Sequence, residues 1–463
     1  PKLASGEWFG AYCLTEPGAG SDANSGKTKA VLSDDGTHYK ITGGKMWISN
    51  AGFCNLFIVF ARIEDDKNIT GFIVENDSSN GISMGEEEHK LGIRSSSTRQ
   101  VFFNDCKVPA ENMLSDRQNG FKIAVNILNI GRIKLGAGVL GGCRSVASMS
   151  VKYAGERKQF GVSINSFGAI KQKLAEMAVR TYACESLCYR AGQDIEDRME
   201  ALAAEGMPDA QAKLKALEEF AIEAAIAKVH GSEVLDYVVD QGVQVYGGMG
   251  YSADAPMERA YRDARISRIY EGTNEINRML MVGMLLKRAM KGEINLFEPA
   301  MAVSAELTSV PSFETVDTSE LFAAEKETIK KLKKVFLMVG GKAAMALADK
   351  IESEQEVMMN LADLMIEIYA AESVILRTEK LVGMRGEEAC QPQIAMTQVY
   401  LFEAVEKIQT AAKEAIAAFT KGDEQKVMLM GLKRYTKADL VNTKELRRQV
   451  AAYMIEKGKY PFS

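Results

Sequence analysis

The first hundred residues alternate short apolar runs with polar turn residues. Six runs rich in β-branched and aromatic residues recur between Trp8 and Val108, among them KMWIS and LFIVFAR, with Gly, Asn and Asp between them. Runs of this length and spacing predict an antiparallel β domain. The segment DDG at residues 34–36 predicts a hairpin turn within it.

The pattern changes to a helical period from Phe121 to about Met290. One face of the segment FGAIKQKLAEMAVRTYACESL carries Phe167, Ile170, Leu174, Met177 and Ala178. Apolar positions at this spacing predict an amphipathic helix, and several such stretches predict a bundle. A polar stretch with two prolines follows at 298–320, and then a second helical block.

We therefore predict an α+β chain with four regions. An antiparallel β-barrel-like domain occupies 1–118, and a four-helix bundle occupies 119–297. A linker at 298–325 leads to an additional C-terminal helical domain at 326–463. The bounds follow the changes in hydrophobic period along the sequence.

Composition narrows the class of protein. The chain has 463 residues, of which 46% are hydrophobic and 26% charged, and its formal net charge is −5. These values are typical of a globular protein, and the negative balance argues against nucleic acid as a partner. No apolar run approaches the ~20 residues of a spanning helix, so we expect none. The chain starts at Pro1 in what resembles the middle of a domain, so we expect an upstream segment that is missing here.

The positions of the cysteines and histidines limit the kinds of catalytic site that the chain could hold. The seven cysteines are scattered, which indicates a reducing compartment rather than a disulfide framework. The three histidines lie far apart, so neither a metal site nor a histidine-based triad is expected. A catalytic proton carrier, if there is one, would then be a carboxylate.

Two motifs in the β domain could bind a flat ligand. In YCLTEPGAGSD, residues 12–22, glycines would allow close approach, and the hydroxyls of Thr15 and Ser21 could hold a phosphate or a flavin edge. An ordinary Pro-Gly turn explains the same residues. In GKMWISN, residues 44–50, Trp47 could stack on a flat ring while Ser49 bonds its rim. Core packing of Trp47 is the alternative.

Two further motifs lie at helix ends. ERKQFG, residues 156–161, offers Arg157 and Gln159 as anion and sugar binders beside Phe160, or else a solvated charge cluster. QVYGGMGY, residues 244–251, predicts a helix that ends at a glycine cap.

The segment RIYEGTNEIN, residues 268–277, places one glutamate in an unusual position. Glu271 lies between Tyr270 and Gly272, just before a predicted helix NEINRMLMVGMLLKRAM whose N-cap is Thr273 or Asn274. Burial and the helix dipole would shift the pKa of Glu271 in opposite directions, so the sequence does not predict its value. Glu271 is either a surface glutamate next to the cap or a base.

Taken together in this order and spacing, the motifs closely resemble the acyl-CoA dehydrogenase family over about residues 1–295. Residues 326–462, with LADLMIEIYAAESVI and the closing KYPF, resemble the C-terminal extension of its very-long-chain members. The resemblance implies a helical N-terminal domain that is absent here, a middle β domain and a helical bundle, with FAD between the last two.

The resemblance also assigns roles to residues. Glu271 would be the catalytic base that removes the α-proton of a fatty acyl-CoA while the β-hydrogen leaves as hydride, giving trans-2-enoyl-CoA. Some members carry the base at the position of Gly131, so no rival base competes here. Substrate contacts would involve Ser21, Asn129, Arg132, Tyr270 and Gly272.

The FAD-binding positions implied by the resemblance lie in both regions. They are Tyr12, Leu14, Thr15, Gly20, Ser21, Trp47, Ile48, Ser49, Arg157, Gln159, Phe160, Gln244, Gly248, Thr273 and Glu275. Glu275 departs from the more frequent glutamine. Several of these residues would reach the FAD of a neighbouring subunit, which implies a homodimer or a higher homo-oligomer.

The expected activity is therefore long-chain acyl-CoA dehydrogenation in fatty acid β-oxidation, with electron-transfer flavoprotein as acceptor. An acyl-CoA oxidase and a respiratory-complex assembly or scaffold protein are the alternatives. The expected location is the bacterial cytoplasm, or the mitochondrial matrix in a eukaryote. Lysines of the extension indicate either a solvated helix face or peripheral contact with an anionic membrane; they are Lys330, Lys331, Lys333 and Lys334.

Overall fold

The structure is a computed structural model, and it describes residues 1–307, 309 and 320–462. Two compact units divide the chain, one from Pro1 to Asn129 and the other from Ile130 onwards. Residues 308 and 310–319 of the predicted linker, and Ser463, lie outside the described residues. The first part of that linker is helical, since a helix covers Phe297–Leu307.

The first unit is built around one eight-stranded sheet. A short helix precedes it, α1 (Lys2–Ser5). Its strands are β1 (Gly10–Cys13), β2 (Lys29–Leu32), β3 (His38–Ser49), β4 (Leu56–Ile63), β5 (Thr70–Glu75), β6 (Ile82–Met84), β7 (Thr98–Pro109) and β8 (Met113–Leu114). The order across the sheet is β6-β7-β3-β2-β4-β5-β8, and β1 pairs with β4.

Most strand pairs are antiparallel, as predicted, but β1 and β2 each run parallel to β4. Among the described residues the pairing starts at β6 and ends at β8 without closing, so the sheet is open rather than a barrel. Both terminal strands are short, and each pairs with a single neighbour. Gly36, at φ 69, forms the predicted turn between β2 and β3.

The core of the first unit follows strand alternation except at an irregularity in β3. Ile41 and Ile48 of β3 are buried with Phe57 of β4 and Phe103 of β7. The pairing of β3 with β7 shifts register between Lys45 and Ile48, which indicates a β-bulge. A bulge turns the following side chains relative to the sheet, so alternation fails locally at residues 45–48.

The second unit is almost entirely helical. Its elements are α2 (Gly120–Glu156), which begins within the first unit, β9 (Lys158–Gln159), β10 (Val162–Ser163), α3 (Gly168–Ala204), α4 (Asp209–Glu219), α5 (Ala221–Tyr246), α6 (Gly248–Tyr251), α7 (Pro256–Ala264), α8 (Asn274–Met290), α9 (Phe297–Leu307), α10 (Ala323–Leu347), α11 (Gln355–Arg385), α12 (Gln391–Phe419), α13 (Gly422–Tyr435) and α14 (Thr443–Lys457).

Helix α3 joins the bundle to the C-terminal extension. Its apolar face follows the prediction, with Leu174, Met177 and Ala178 buried, and Phe167 and Ile170 packed beside them. This helix contacts α5 of the bundle as well as α11, α12 and α14 of the extension. Bundle and extension therefore share one hydrophobic core.

The structure bears on both expectations about membranes. One helix, α2, is long and apolar enough to cross a bilayer by length and composition. Polar and charged residues interrupt its apolar sequence, so no uninterrupted apolar run marks it. Core helices of soluble proteins can have the same length and apolar composition, so α2 alone does not indicate a membrane span.

In α10, which carries the lysines of the extension, the apolar residues Ile329, Leu332 and Val335 are buried. Lys330, Lys333 and Lys334 pair with glutamates, which favours a solvated lysine face.

Candidate active site

Glu271 and Gly272 lie on a tight loop before α8. Both have a left-handed backbone, with φ 59 and φ 79. Glycine adopts this region freely, whereas a residue with a Cβ seldom does, and strained non-glycine residues cluster at functional sites. The Glu271 side chain is half-buried. The loop thus holds a carboxylate in a conformation that needs support from the surrounding structure.

Side chains from three helices supply that support. Arg132 of α2 donates from Nε to the Glu271 carbonyl at 3.2 Å. Lys228 of α5 donates from Nζ to the Gly272 carbonyl at 2.7 Å. Asn277 of α8 donates from Nδ2 to the Gly272 carbonyl at 2.8 Å and to the next carbonyl at 3.0 Å. Carbonyls 271–273 are therefore all hydrogen-bonded towards the bundle.

The start of α8 fixes the other side of the loop. Thr273 is the N-cap, because its hydroxyl accepts from the Ile276 amide at 3.2 Å. Asn274, the other candidate, turns inward: it accepts from Lys228 at 2.7 Å and donates to Glu233 at 3.0 Å. The helix spans the whole segment that the sequence predicted.

The surroundings of Glu271 set its ionisation. Burial raises the pKa of Glu271, and the positive charges of Arg132 and Lys228 oppose that rise. A carboxyl whose pKa is raised towards neutrality suits general-base catalysis, because it is both ionised and basic enough to take a proton. The sequence had left these opposing effects undecided.

Gly131 makes room for the Glu271 carboxylate. A Cβ added at Gly131 would lie 2.3 Å from Oε2 and 2.7 Å from Cδ of Glu271. No side chain fits at position 131 while the Glu271 carboxylate keeps this place. A second base carried at position 131 is therefore also disfavoured on steric grounds, because the Glu271 carboxylate already fills the space.

The remaining predicted substrate residues differ in exposure. Asn129, the last residue of the first unit, is buried, as is Arg132 at the start of the second. Burial lowers the pKa of Arg132, and the charge of Glu271 raises it. Tyr270 and Ser21 are exposed in their respective units.

In the first unit, a buried ion pair organises the loop of residues 12–22. Lys45 donates from Nζ to Glu16 Oε1 at 2.7 Å and to the Leu14 carbonyl at 3.2 Å. The Glu16 carboxylate also accepts from the amides of Lys27 and Thr28. Although burial favours the neutral acid, these contacts keep the pKa of Glu16 below its usual value. The ion pair and these hydrogen bonds therefore hold the loop of residues 12–22 in one conformation.

The same loop lies beside the Trp47 segment. The Met46 amide donates to the Thr15 carbonyl at 2.9 Å. Trp47 is 53% exposed and has φ 60, so it is not a core residue. The bulge in β3 explains this, because it turns Trp47 outward while Ile48 stays buried.

These features fit a flat ring system such as that of FAD. An exposed indole face can stack on the ring, and Ser49 is exposed nearby. At Gly20 an added Cβ would meet no atom within 4 Å, which leaves the loop open to a ligand. Leu14 and Ile48 have buried side chains, so only their backbone could contact the group. Tyr12 is partly exposed.

In the second unit, the predicted cofactor residues occupy exposed ends of elements. Arg157 and Gln159 lie at the β9–β10 hairpin. Its two-residue turn is Phe160–Gly161, with φ 52 and φ 80. Phe160 is 94% exposed. Gln244 and Gly248 flank the glycine cap of α5, where Gly247 has φ 61, and both are exposed.

Thr273 is the N-cap of α8, and Glu275 lies in its first turn. Glu275 forms hydrogen bonds with its own backbone amide and with Thr273, which lower its pKa. Both residues lie next to Glu271 and Gly272 in the chain. The structure thus brings Gly131, Arg132, Tyr270 and the 271–275 segment together within the second unit.

Sequence reasoning missed the residues that hold these loops. They are Glu16, Lys45, Lys228, Glu233 and Asn277. One signal was present: Lys228 is a lone cation in the apolar segment AAIAKVHG. The other residues resemble ordinary strand or helix positions.

Comparisons with known proteins assign the family. The model of the acyl-CoA dehydrogenase middle domain matches residues 11–106. Two models described as acyl-CoA dehydrogenase C-terminal domains match residues 118–286 and 331–434. The matches cover both helical blocks as well as the sheet.

Individual relatives extend along nearly the whole chain. A probable acyl-CoA dehydrogenase of Bacillus subtilis (strain 168) is 43% identical over 460 residues, which are 99% of this chain and 77% of that protein. The mitochondrial very long-chain specific acyl-CoA dehydrogenase of Homo sapiens is 34% identical over 95% of this chain and 67% of its own length.

A solved structure agrees with the fold. The crystal structure of acyl-CoA dehydrogenase complexed with FAD from Bacillus anthracis has a TM-score of 0.94 and 43% identity, and covers 100% of this chain and 78% of that chain. FAD is accordingly the cofactor of this protein. The chain belongs to the acyl-CoA dehydrogenase family, FAD-dependent oxidoreductases that act on a CH–CH group of acyl-CoA.

Proposed function

We propose that this protein oxidises long-chain fatty acyl-CoA to trans-2-enoyl-CoA, with Glu271 as the base and electron-transfer flavoprotein as the electron acceptor. The observation that carries this proposal is the half-buried Glu271 carboxylate on a strained loop whose carbonyls are bonded to three helices. Gly131 leaves the space that this carboxylate occupies.

The residues of this chain would handle the proton. A Glu271 oxygen takes the α-proton of the thioester, and the electrons of that C–H bond form the new double bond to the β-carbon. FAD, when bound, accepts the hydride that leaves the β-carbon. Arg132 and Asn277 hold the loop during this step through the carbonyls of residues 271–273. Burial strengthens Glu271 as a base by raising its pKa.

The chain-length preference, the electron acceptor and the homodimer are supported by similarity to relatives and by the exposed hairpin. The long-chain preference follows from the similarity to very long-chain enzymes, which extends through the C-terminal block. The acceptor follows from the family resemblance, since the reduced flavin must pass on two electrons. A homodimer is supported by the solvent-facing hairpin at Phe160, where a cofactor shared between subunits would be contacted.

The test compares the parent protein with Glu271→Gln, both purified with FAD and mixed anaerobically with palmitoyl-CoA. Loss of the flavin absorbance near 450 nm reports the reaction. We expect Glu271→Gln to react about 10²- to 10⁴-fold more slowly, since that is the usual contribution of a positioned base. Glu200→Gln, an exposed position on α3, is the matched control and should react like the parent.

Further additions separate the alternatives. Rapid return of the colour with electron-transfer flavoprotein, and slow return with oxygen, supports the dehydrogenase; the opposite order identifies an oxidase. A series of acyl-CoA substrates from C4 to C20 defines the chain-length preference. If no acyl-CoA bleaches the bound flavin, the proposal is wrong, and a scaffold role takes its place.

A further inference from the structure

Lys228 is a buried cation beside the Glu271 loop. It lies in the middle of α5, and its side chain is 0% exposed. Its Nζ donates to the Gly272 carbonyl and to Asn274 Oδ1, each at 2.7 Å. Both acceptors are neutral oxygens. A charged group that is buried without a carboxylate in direct contact is costly, so its presence calls for an explanation.

The hydrogen bond alone does not explain the choice of lysine. Asn277 also donates to the Gly272 carbonyl, at 2.8 Å. Asn274 is held on its other side by Glu233, at 3.0 Å. Neutral oxygens of this kind can also accept from an uncharged amide donor. The property that only a cation adds at this position is its charge.

Charged groups from several elements face Lys228. They are Arg132 from α2, Glu233 from α5 itself, Glu271 from the loop and Glu275 from α8. Burial and, to a smaller extent, the charge of Arg132 lower the pKa of Lys228 to about 8, although the carboxylates act in the opposite direction. Lys228 is therefore mostly charged at neutral pH. Glu271 in turn faces two cations, Arg132 and Lys228.

We propose that Lys228 is a positioning residue for the reaction: its Nζ fixes the Gly272 carbonyl, and its charge stabilises the ionised form of Glu271. This inference rests on the proposed role of Glu271 as the base. The three supports of the loop then differ in function, and Arg132, like Lys228, brings a charge as well as a hydrogen bond. Asn277 supplies geometry alone, whereas Lys228 supplies geometry and charge.

The direction of the pH effect follows from this charge. Glu271 can act as a base only when it is ionised, so the rate of flavin bleaching rises with pH through the pKa of Glu271. Removing a nearby cation raises that pKa. The acid limb of the pH–rate profile should therefore move to higher pH when position 228 is neutral. Lys228 carries its charge at pH values below its own pKa of about 8, so its effect on Glu271 is present at and below neutral pH.

The experiment measures single-turnover bleaching by palmitoyl-CoA from pH 5.5 to 9.5 in the FAD-loaded protein. Lys228→Gln keeps a donor without charge, Lys228→Met removes both, and Lys228→Arg keeps both. We expect the acid limb to move upward by about one pH unit in the Gln and Met variants. At a pH on the acid limb the rate should then fall about tenfold, and the Gln variant should approach the parent at high pH.

Lys287→Gln is the control for removing a lysine, and Lys228→Arg is the control for keeping the charge. Lys287→Gln removes an exposed lysine of α8 and should leave the profile unchanged. If Lys228→Met does not retain FAD, the Gln and Arg variants carry the test. Lys228→Arg should keep its acid limb at the parental pH, because the charge remains; an upward shift in that variant would contradict the role of the charge.

The outcomes distinguish this inference from the proposed function. An unchanged acid limb in Lys228→Gln, together with loss of bleaching in Glu271→Gln, would leave the base in place and overturn the role of Lys228. Normal bleaching in Glu271→Gln would instead overturn the base assignment itself. A rate that falls equally at every pH in Lys228→Gln would show a structural role only.

Discussion

Among single residues, Gly131 imposes the strictest limit on the candidate base. An added methyl group would meet Glu271 Oε2 at 2.3 Å. This atom is the end of a flexible side chain, so Gly131→Ala should push the carboxylate aside without disturbing the fold. We expect bleaching by palmitoyl-CoA to slow by roughly 10- to 100-fold, because small displacements of a reacting group have effects of this size. Stopped-flow absorbance measures the rate.

The same helix provides a control for Gly131→Ala. At Gly138 an added Cβ would meet no atom within 4 Å. Gly138→Ala should react at the parental rate and gain up to about 1 kcal/mol of stability from helix propensity. A parental rate in Gly131→Ala would mean that the reacting carboxylate does not occupy this space. Thermal unfolding of both variants separates loss of activity from loss of fold.

Local patterns revealed some residues of the site but not their supports. The helix cap at Thr273 could be read from the chain because its partner is three residues away. Lys228 contacts Gly272 across 44 residues, and Lys45 contacts Glu16 across 29. Periodicity carries no information on such pairs. Trp47 also fitted core packing, because alternation could not indicate the bulge that turns it outward.

Among whole elements, the long helices were the most predictable. The helix α8 matches its predicted segment because a cap and a steady apolar period define it. Alternation predicted the strands but not the parallel pairing of β1 and β2 with β4, since side-chain period is the same in both directions. The polar character and the two prolines of residues 298–320 predict a linker, yet Phe297–Leu307 is helical, since proline is tolerated in a first helical turn.

Contacts between helices depend on a few buried charges, of which Glu185 is the clearest. Its side chain on α3 is fully buried and accepts from Arg144 of α2 at 2.5 Å and from Arg377 of α11 at 2.8 Å. Glu185→Gln removes the negative charge that both arginines share. We expect the free energy of unfolding to fall by about 3 kcal/mol, as for other broken buried pairs. Urea titration followed by circular dichroism measures it.

A substitution at an exposed glutamate of α3 tests whether the loss of stability is caused by the buried charge of Glu185. Glu196→Gln should change the free energy of unfolding by no more than about 0.5 kcal/mol, as is usual for surface substitutions. Equal effects at the two positions would show that the charge shared by α2, α3 and α11 does not stabilise this part of the protein.

For the whole molecule, the main difference between prediction and structure concerns the extension. The polar stretch at 298–320 indicated a separate domain, yet bundle and extension share a core. The Tyr182 hydroxyl of α3 lies 2.9 Å from Thr378 Oγ1 of α11, with both side chains buried. Amphipathic patterns show that a helix has an apolar face, but not which other face covers it. Assembly of the two blocks was therefore beyond the sequence.

The proposed homodimer leads to the last prediction. Phe160 is 94% exposed at the tip of the β9–β10 hairpin. The centroid of its ring lies 6.0 Å from the ring centroid of Phe167. Its φ of 52 is unfavourable for a bulky residue. One copy of the chain offers little reason for such a residue, whereas a cofactor shared across a dimer does. If the proposed dimer shares its cofactor in this way, Phe160→Ser should lower the ratio of flavin to protein absorbance severalfold and weaken self-association in sedimentation velocity.

Leu440 is the matched control, since it is also 94% exposed and lies on the extension. Leu440→Ser should retain its flavin and its oligomeric state. Both variants should unfold at the parental temperature when FAD is saturating, because neither side chain belongs to the core. If Phe160→Ser keeps a full complement of FAD, the hairpin does not contact the cofactor. Loss of FAD with an intact dimer would instead place the hairpin against the cofactor of its own subunit.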